Sequence, residues 1–288
     1  MTTVLVVGAS GGCGKAVTAQ LVARGAVVRG FVRDDDRAQV AREAGATEIA
    51  IGDLRDIGSI DAALKGVDGV FHLGPAYMPE EAQVGIAVAN AALRAGVERL
   101  IYSSALHPIA SAMLNHDVKR QVEEHLIATD LDFTIMQPAR FMQGVAYSWP
   151  AIVSDKAFRE PFRVDAKMAF VDYEDVAEAV AICFTEPGYG RATFELSAEG
   201  EQSRVEQAAI ISEILGEEIK AEPCVLEDWL PPPLLANPYL REGLTRMFGY
   251  YDTVGFRGGN SLSLRTILGR PATDYAAFAA RFIAQTPG

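Results

Sequence analysis

The 288-residue sequence has only three cysteines and four histidines, and it lacks both a basic cluster and a long apolar run. Cys13, Cys183 and Cys224 are widely spaced and odd in number, so they form neither a zinc-ligand spacing nor a disulfide framework. Three free thiols are typical of a reducing compartment. Because no apolar run approaches the roughly 20 residues of a membrane helix, we expect no membrane partner.

The charge balance argues against a nucleic-acid partner. Lysine and arginine total 26 against 38 acidic residues, which gives a net charge of −12, and DNA-binding proteins usually present a basic face. The N-terminus "MTTVLVVGAS" has no basic region before its apolar residues and enters a strand pattern at once, so we expect no signal peptide. These features together predict a cytoplasmic protein.

The first 140 residues alternate between strand and helix patterns. Apolar strand patterns occupy residues 2–7, 26–32, 46–53, 67–73, 98–104 and 131–138. Strands that are apolar on both faces and alternate with helices are typical of a parallel sheet that is covered on both sides. We therefore predict an α/β fold with a Rossmann-like doubly wound parallel sheet.

The rhythm breaks after Pro138, where the sequence becomes aromatic and irregular. The stretch "LPPPLLANP" at 230–238 is incompatible with a helix interior or a central strand. We predict an NAD(P)-binding domain at 1–140 and a smaller C-terminal substrate lobe at 141–288, with 165–200 returning to the main sheet.

A glycine-rich loop follows the first strand. Gly8, Gly11 and Gly14 have the spacing G-x-x-G-x-x-G between a strand and a helix. In such a loop the first glycine allows the turn, the second admits a pyrophosphate and the third allows close helix packing. The helix N-terminus supplies N–H groups and positive potential, and Ser10 adds a hydroxyl. The cofactor contacts predicted here are Gly8, Ser10, Gly11, Gly12, Cys13 and Gly14. The alternative is a glycine turn without a ligand.

The end of the second strand bears on the choice of dinucleotide. Arg33 and Arg37 suit a 2′-phosphate, whereas Asp34 lies twenty residues after Gly14 and is suited to the ribose 2′-hydroxyl of NAD. A charged, solvated helix start is the alternative without a ligand. We predict NADP(H) rather than NAD(H).

Two further strand ends complete the predicted adenosine site. Asp53 follows the third strand, where it can accept a hydrogen bond from the adenine amino group while Leu54 packs on the ring. The fourth strand ends in "HLGP", which places Leu73, Gly74 and Pro75 along the adenosine and ribose.

These motifs together resemble the NmrA-like branch of the atypical short-chain dehydrogenase/reductase superfamily. The matching stretches include "VLVVGASGGCGKAV", "GDLRD", "AALRAGVERLIYSSA", "HDVKRQVEEHLIATDLDFTIMQPARFM" and "FVDYEDVAEAVA". The resemblance implies NADP(H) binding with Arg33 at the 2′-phosphate and Lys119 at the nicotinamide ribose. It also implies that Pro138 and the following residues lie on the nicotinamide side. Family members include quinone and isoflavone-type reductases as well as non-catalytic redox sensors.

The catalytic motif of typical short-chain dehydrogenases is incomplete in this sequence. Their Tyr-x-x-x-Lys motif places a tyrosine four residues before the lysine, but that position before Lys119 holds Asn115. His116 lies three residues before Lys119 on the same helical face, where it can exchange a proton near neutral pH. We therefore predict His116 and Lys119 as catalytic residues. The alternative is a surface histidine beside a ribose-binding lysine.

Polar residues after the fifth strand and aromatic residues of the second half extend the predicted site. Ser103 is predicted to contact the cofactor, and His107 to line the substrate pocket. Arg140, Phe141 and Trp149 are predicted to contribute to a flat apolar pocket, with ordinary packing as the alternative.

The sequence thus predicts an NADP(H)-dependent oxidoreductase that acts on a quinone or another aromatic carbonyl or enone, including natural-product tailoring. The first alternative is a non-catalytic redox sensor, which the missing tyrosine favours. An extended-type carbonyl-modifying or sugar-nucleotide enzyme is a weaker alternative, because the Tyr-x-x-x-Lys motif is absent.

Overall fold

A computed structural model describes residues 2–286 of the chain. The strands are β1 (Thr3–Val7), β2 (Val27–Val32), β3 (Glu48–Ile51), β4 (Gly69–His72), β5 (Arg99–Ser103), β6 (Phe133–Pro138), β7 (Arg140–Phe141), β8 (Ala157–Glu160), β9 (Phe170–Val171), β10 (Ala192–Leu196) and β11 (Lys220–Pro223). The helices are α1 (Gly12–Ala23), α2 (Asp35–Glu43), α3 (Ile57–Ala63), α4 (Glu81–Ala95), α5 (Leu114–Ile127), α6 (Trp149–Asp155), α7 (Tyr173–Thr185), α8 (Arg204–Leu215), α9 (Leu226–Trp229), α10 (Pro232–Leu235), α11 (Pro238–Val254), α12 (Leu262–Leu268) and α13 (Tyr275–Gln285).

The described residues form two compact units. The first unit contains residues 2–111, 116–138 and 173–195, and the second contains residues 112–115, 139–172 and 196–286. Within the segment 165–200, residues 173–195 belong to the first unit. The last residue of β10, Leu196, is the first residue assigned to the second unit again.

The first unit is built on a seven-stranded sheet with the order β10-β6-β5-β4-β1-β2-β3. The strand pairs from β3 across to β6 are all parallel, with registers such as Val6 opposite Gly30 in β2 and Phe71 in β4. The chain order reverses between β1 and β4, which is the point where a doubly wound sheet opens a crevice at the carboxyl ends of its strands. The predicted Rossmann-like fold is confirmed, and all six strands predicted before residue 139 are present.

Helices cover both faces of this sheet because its strands are apolar on both sides. One face packs with α3, α4 and α5 in a core that includes Leu5, Val70 and Ile135. On the other face α1 packs against α7, and the ring of Phe184 in α7 lies over Gly69 of β4. With both faces covered, a ligand can reach this sheet only through the loops at the carboxyl ends of its strands.

The helices of the first unit begin and end at residues suited to those positions. Asp34 caps α2 by accepting from the N–H of Arg37 at 2.9 Å, and Asp56 caps α3 by accepting from the N–H of Gly58 at 2.9 Å. Helix α4 ends at Gly96 with φ +69°, as expected of a glycine at a helix C-terminus.

The second unit is more regular than the sequence indicated. A 3₁₀ helix at Met142–Tyr147 and helix α6 occupy the segment predicted to be irregular, and short parallel pairs join β8 to β11 and β7 to β9. The proline-rich stretch forms the one-turn helix α10. Its prolines lie in the first turn, where no acceptor is needed for the missing N–H, so they are compatible with a helix start.

Candidate nucleotide-binding site

The glycine loop forms a close turn at the carboxyl end of β1. Gly8 has φ +88°, and its carbonyl oxygen accepts from the N–H of Gly11 at 2.9 Å. A Cβ atom on Gly14 would lie 2.0 Å from that same oxygen, so a side chain cannot be accommodated there. The loop therefore requires glycine at both positions, as the motif predicted.

The start of α1 is suited to an anion. Gly11 is the N-cap residue, and within the described chain no side chain caps the helix. The first-turn N–H groups and the positive end of the helix dipole therefore point to the loop without a protein carboxylate in place. Gly11 and Gly12 are exposed and Ser10 is half-buried at this edge. The ring of Tyr173, the first residue of α7, packs against Gly12.

Cys13 lies buried under the same turn. Burial, with a smaller contribution from Glu174, raises the pKa of its thiol to about 12. The effect of the helix N-terminus, which on its own lowers a thiol pKa, is therefore outweighed. The thiol is a small packing group rather than a reactive one.

The end of β2 brings two arginines to one aspartate. Oδ1 of Asp34 accepts from the backbone N–H of Arg37, while Oδ2 lies 3.4 Å from Nε of Arg33 and 3.6 Å from Nε of Arg37. The Arg33 side chain is 69% exposed, so its guanidinium remains accessible to a ligand. Both oxygens of Asp34 already face protein partners.

The residues after β3 and β4 lie at the same edge. Asp53 is exposed, with Oδ1 accepting from the N–H of Arg55 at 2.8 Å, and Leu54 is half-buried against the main core. The carbonyl oxygen of Leu73 is 3.2 Å from the position of a Cβ on Gly8, which places the β4 end directly beside the glycine loop. Pro75 is exposed two residues further along.

A buried lysine lies behind this edge. Nζ of Lys119 donates to Oε1 of Glu81 at 3.0 Å and to the carbonyl oxygen of Ser103 at 3.3 Å. Nζ also lies 5.6 Å from the centre of the Tyr102 ring, which stacks on His72. Burial on its own lowers the pKa of Lys119, but the attraction of Tyr102 and Glu81 outweighs it and raises the pKa, so the side chain stays an ammonium.

The predicted catalytic histidine is buried next to the loop after β5. Nδ1 of His116 lies 3.1 Å from the carbonyl oxygen of His107, a residue with φ +55°. Burial lowers the pKa of His116 to about 4, so the ring is neutral at pH 7. The backbone hydrogen bonds of the ring to His107 and Leu106 favour the charged form, but burial outweighs them. Because burial disfavours the charged ring, His116 resists taking up a proton at pH 7.

Ser103 and Pro138 lie near these groups. The hydroxyl oxygen of Ser103 is buried and has no hydrogen-bond partner within residues 2–286, which is uncommon for a buried polar group. The carbonyl oxygen of Pro138 accepts from the N–H of Leu106 at 2.8 Å, which ties the end of β6 to the loop that carries His107.

The remaining predicted substrate residues belong to the second unit. Arg140 is buried and forms an ion pair with Glu160 through both terminal nitrogens, and its guanidinium packs over the ring of Phe162. Trp149 is buried edge-on against Phe282 at 5.1 Å. Phe141 is half-buried in β7. These contacts hold Arg140 and Trp149 in the packing of their own unit, and their roles toward a substrate stay predictions.

Two side chains of the first-unit site were not predicted from the sequence. Glu81 is the first residue of α4 and is buried, and Tyr102 lies buried in β5. The sequence did hold one signal for Glu81. A lysine at a ribose site is partly buried, and a buried ammonium requires a carboxylate partner. His125, predicted to be solvated, is instead half-buried and lies 2.8 Å from Oδ1 of Asn90.

The described residues contain neither a metal-ligand cluster nor a membrane-spanning helix. No group of three or more histidine, cysteine, aspartate or glutamate side chains in residues 2–286 is placed to hold a metal ion. Within the same residues, none of the helices combines the length and apolar character needed to cross a bilayer.

The sheet order and the glycine loop at its switch point define the dinucleotide-binding class of α/β proteins. A model of the NmrA-like family matches residues 1–265, and the chain belongs to this family.

Several known proteins are similar to this chain over most of its length. An NAD(P)H azoreductase of Xenophilus azovorans is 27% identical, with 96% of each chain covered. Quinone oxidoreductase 2 of Escherichia coli K12 is 25% identical over 85% of this chain and 86% of that protein. The crystal structure of NmrA, a negative transcriptional regulator in complex with NADP, has a TM-score of 0.78 at 19% identity and covers 97% of this chain and 94% of that one.

Proposed function

We propose that this chain is an NADPH-dependent oxidoreductase whose substrate is a quinone or another aromatic carbonyl or enone. The observation that carries the proposal is the uncapped start of α1 behind Gly8 and Gly14, at the switch point of the parallel sheet. A sheet edge of this geometry is where doubly wound folds bind nucleotides. The relatives named as an NAD(P)H azoreductase and a quinone oxidoreductase support the same class of reaction.

The residues present fit the cofactor. The glycine loop has no side chain at Gly8 or Gly14, so its backbone stays open to a phosphate. The buried hydroxyl of Ser103 has no hydrogen-bond partner among the described residues and can bind a cofactor atom. In this proposal the N–H groups of residues 11–14 hold the pyrophosphate, and Ser10 adds its hydroxyl. Asp53 and Leu54 hold the adenine beside residues 73–75. Lys119 binds the nicotinamide ribose, and Ser103 and Pro138 contact the nicotinamide ring.

The arrangement at the end of β2 favours NADP over NAD. Asp34 uses one carboxylate oxygen to cap α2 and the other to face Arg33 and Arg37. A ribose 2′-hydroxyl would compete with these contacts, whereas a 2′-phosphate would gain two charged donors. The exposed guanidinium of Arg33 is therefore the principal determinant of the preference.

Bound NADPH supplies a hydride, and the protein residues control the position and the proton. Lys119 remains an ammonium held by Glu81, which suits it to bind a ribose oxygen rather than to transfer a proton. Asn115 stands at the position of the usual tyrosine, and burial keeps His116 neutral at pH 7, so neither side chain supplies a strong acid. Quinones suit such a site because their reduction needs little assistance from a protein acid.

The test combines binding with turnover. Calorimetry with NADPH and NADH measures binding, and loss of nicotinamide absorbance with a panel of quinones, enones and azo compounds measures reaction. NADPH binding together with turnover of at least one aromatic acceptor supports the proposal. If neither nucleotide binds at millimolar concentration, the proposal is wrong.

A redox sensor is the second candidate, and the observation that favours it is Asn115 in place of the tyrosine. The regulator NmrA shares the fold. NADPH binding without turnover of any acceptor in the panel, accompanied by cofactor-dependent capture of a partner protein, would favour this function over catalysis.

A further inference from the structure

The ammonium of Lys119 has an incomplete set of acceptors. An ammonium has three N–H donors, and two of them are used by Oε1 of Glu81 and the carbonyl oxygen of Ser103. The described residues provide no third hydrogen-bond acceptor for Nζ. The third N–H faces at most the Tyr102 ring, whose centre is 5.6 Å from Nζ, and is thus available to a ligand oxygen.

Glu81 is confined in a way that fixes this ammonium. It is the first residue of α4, where the helix dipole favours a carboxylate, and its side chain is only 3% exposed. A Cβ on Gly74 would lie 3.3 Å from Oε1 and 3.4 Å from Cγ of Glu81, so the carboxylate lies directly under the β4 loop. Because Lys119 binds Oε1 and the side chain packs against Gly74, the Glu81 carboxylate has little freedom to move.

The geometry points to Glu81 as a positioning residue, which fixes Lys119 so that its remaining N–H donates to the ribose of the nicotinamide nucleoside. This inference rests on the proposed function, because it requires NADPH in the site. In this inference Lys119 contacts only the nicotinamide nucleoside of NADPH and not its adenosine half. Loss of the Glu81 charge should weaken binding of the nicotinamide half and leave the adenosine half unaffected.

The experiment compares NADPH with 2′,5′-ADP, which has the 2′-phosphate and adenosine but lacks the nicotinamide nucleoside. Glu81→Gln removes the charge and keeps the size of the side chain. Calorimetry should show NADPH affinity reduced about tenfold, the scale of one charge-assisted hydrogen bond, with 2′,5′-ADP affinity unchanged. In the steady state the KM for NADPH should rise more than kcat falls.

A double-mutant cycle with Lys119→Met separates positioning from general damage. If Glu81 acts through the ammonium, Glu81→Gln should cause no further loss of NADPH affinity in the Lys119→Met background. Glu80→Gln is the matched control, because Glu80 is the adjacent residue but is exposed and contacts Arg55 at 3.3 Å. This control should bind both nucleotides like the wild type.

The outcomes distinguish this inference from the proposed function. The inference is wrong if Glu81→Gln binds NADPH like the wild type, if it weakens both nucleotides equally, or if its effect persists in the Lys119→Met background. Binding of 2′,5′-ADP reports that the variant is folded. A wild-type protein that binds neither nucleotide overturns the proposed function, and the inference with it.

Discussion

The Cα of Gly14 packs directly against the carbonyl oxygen of Gly8, so a Cβ atom there would lie only 2.0 Å from that oxygen. The same oxygen accepts the N–H of Gly11 at 2.9 Å, which fixes its position within the loop. The first turn of α1 can approach the end of β1 this closely only because residue 14 has no side chain. The nucleotide cradle and the packing of the helix thus depend on one contact.

We predict that Gly14→Ala displaces the glycine loop and removes NADPH binding. The added methyl group also lowers the free energy of unfolding by about 1–3 kcal/mol, the usual cost of overpacking. Gly249→Ala in α11 is the matched control, since no atom lies within 4 Å of its Cβ position, and it should raise stability by about 0.5–1 kcal/mol. Thermal unfolding and calorimetry measure both effects. An alanine at residue 14 with wild-type NADPH affinity would contradict the prediction.

Arg33→Ala should weaken NADPH by about ten- to a hundredfold, because one charge-assisted contact to a phosphate contributes about 1.5–3 kcal/mol. NADH, which has no 2′-phosphate, should lose little affinity. Arg42→Ala is the control, because Arg42 lies in the last turn of α2 and is exposed. Calorimetry with both nucleotides checks the prediction, and equal losses for NADPH and NADH would show that Arg33 does not read the phosphate.

Asp34 should act on stability and cofactor choice through different atoms. Asp34→Asn keeps an oxygen that can cap α2 but removes the charge, so stability should hold while NADPH affinity rises a few-fold. Asp34→Ala should lower stability by about 1 kcal/mol through loss of the cap. Chemical denaturation and calorimetry distinguish the two variants. A large loss of NADH affinity in Asp34→Asn would instead assign Asp34 to the ribose hydroxyl.

The sequence was most informative where the chain is buried on both sides. Strands such as β1 and β5 read as short apolar runs because the parallel sheet covers both of their faces. Strands β8 and β11 were not predicted, because their sequences, "AFRE" and "KAEP", contain no run of apolar residues. Helix α6 was also missed, because the aromatic segment that contains its start shows no helical periodicity; its Pro150 lies in the first turn, where proline is tolerated.

The candidate site was predictable only where a local motif carries it. The glycine loop is such a motif, because its spacing and flanking elements lie within one βα unit. The pair of Lys119 and Glu81 joins residues 38 positions apart, and only the adjacency of α4 and α5 residues in the folded unit reveals it. The effect of burial on Cys13 and His116 was likewise outside the reach of sequence reasoning, because burial there depends on tertiary packing.

Two buried histidines should make the protein sensitive to mild acid. Burial lowers the pKa of His72 to about 3 and that of His116 to about 4, against about 6.5 in an unfolded chain. The unfolded state therefore binds protons more readily, so stability is fully present above pH 6.5 and is lost as the pH falls toward 4. Each histidine should remove about 2 kcal/mol between pH 7 and pH 5. In denaturant titrations His116→Asn should lose less stability between pH 7 and pH 5 than the wild type. The control His125→Gln, at a half-buried histidine, should match the wild type. If the stability of His116→Asn falls with pH as steeply as that of the wild type, the His116 ring is not held neutral.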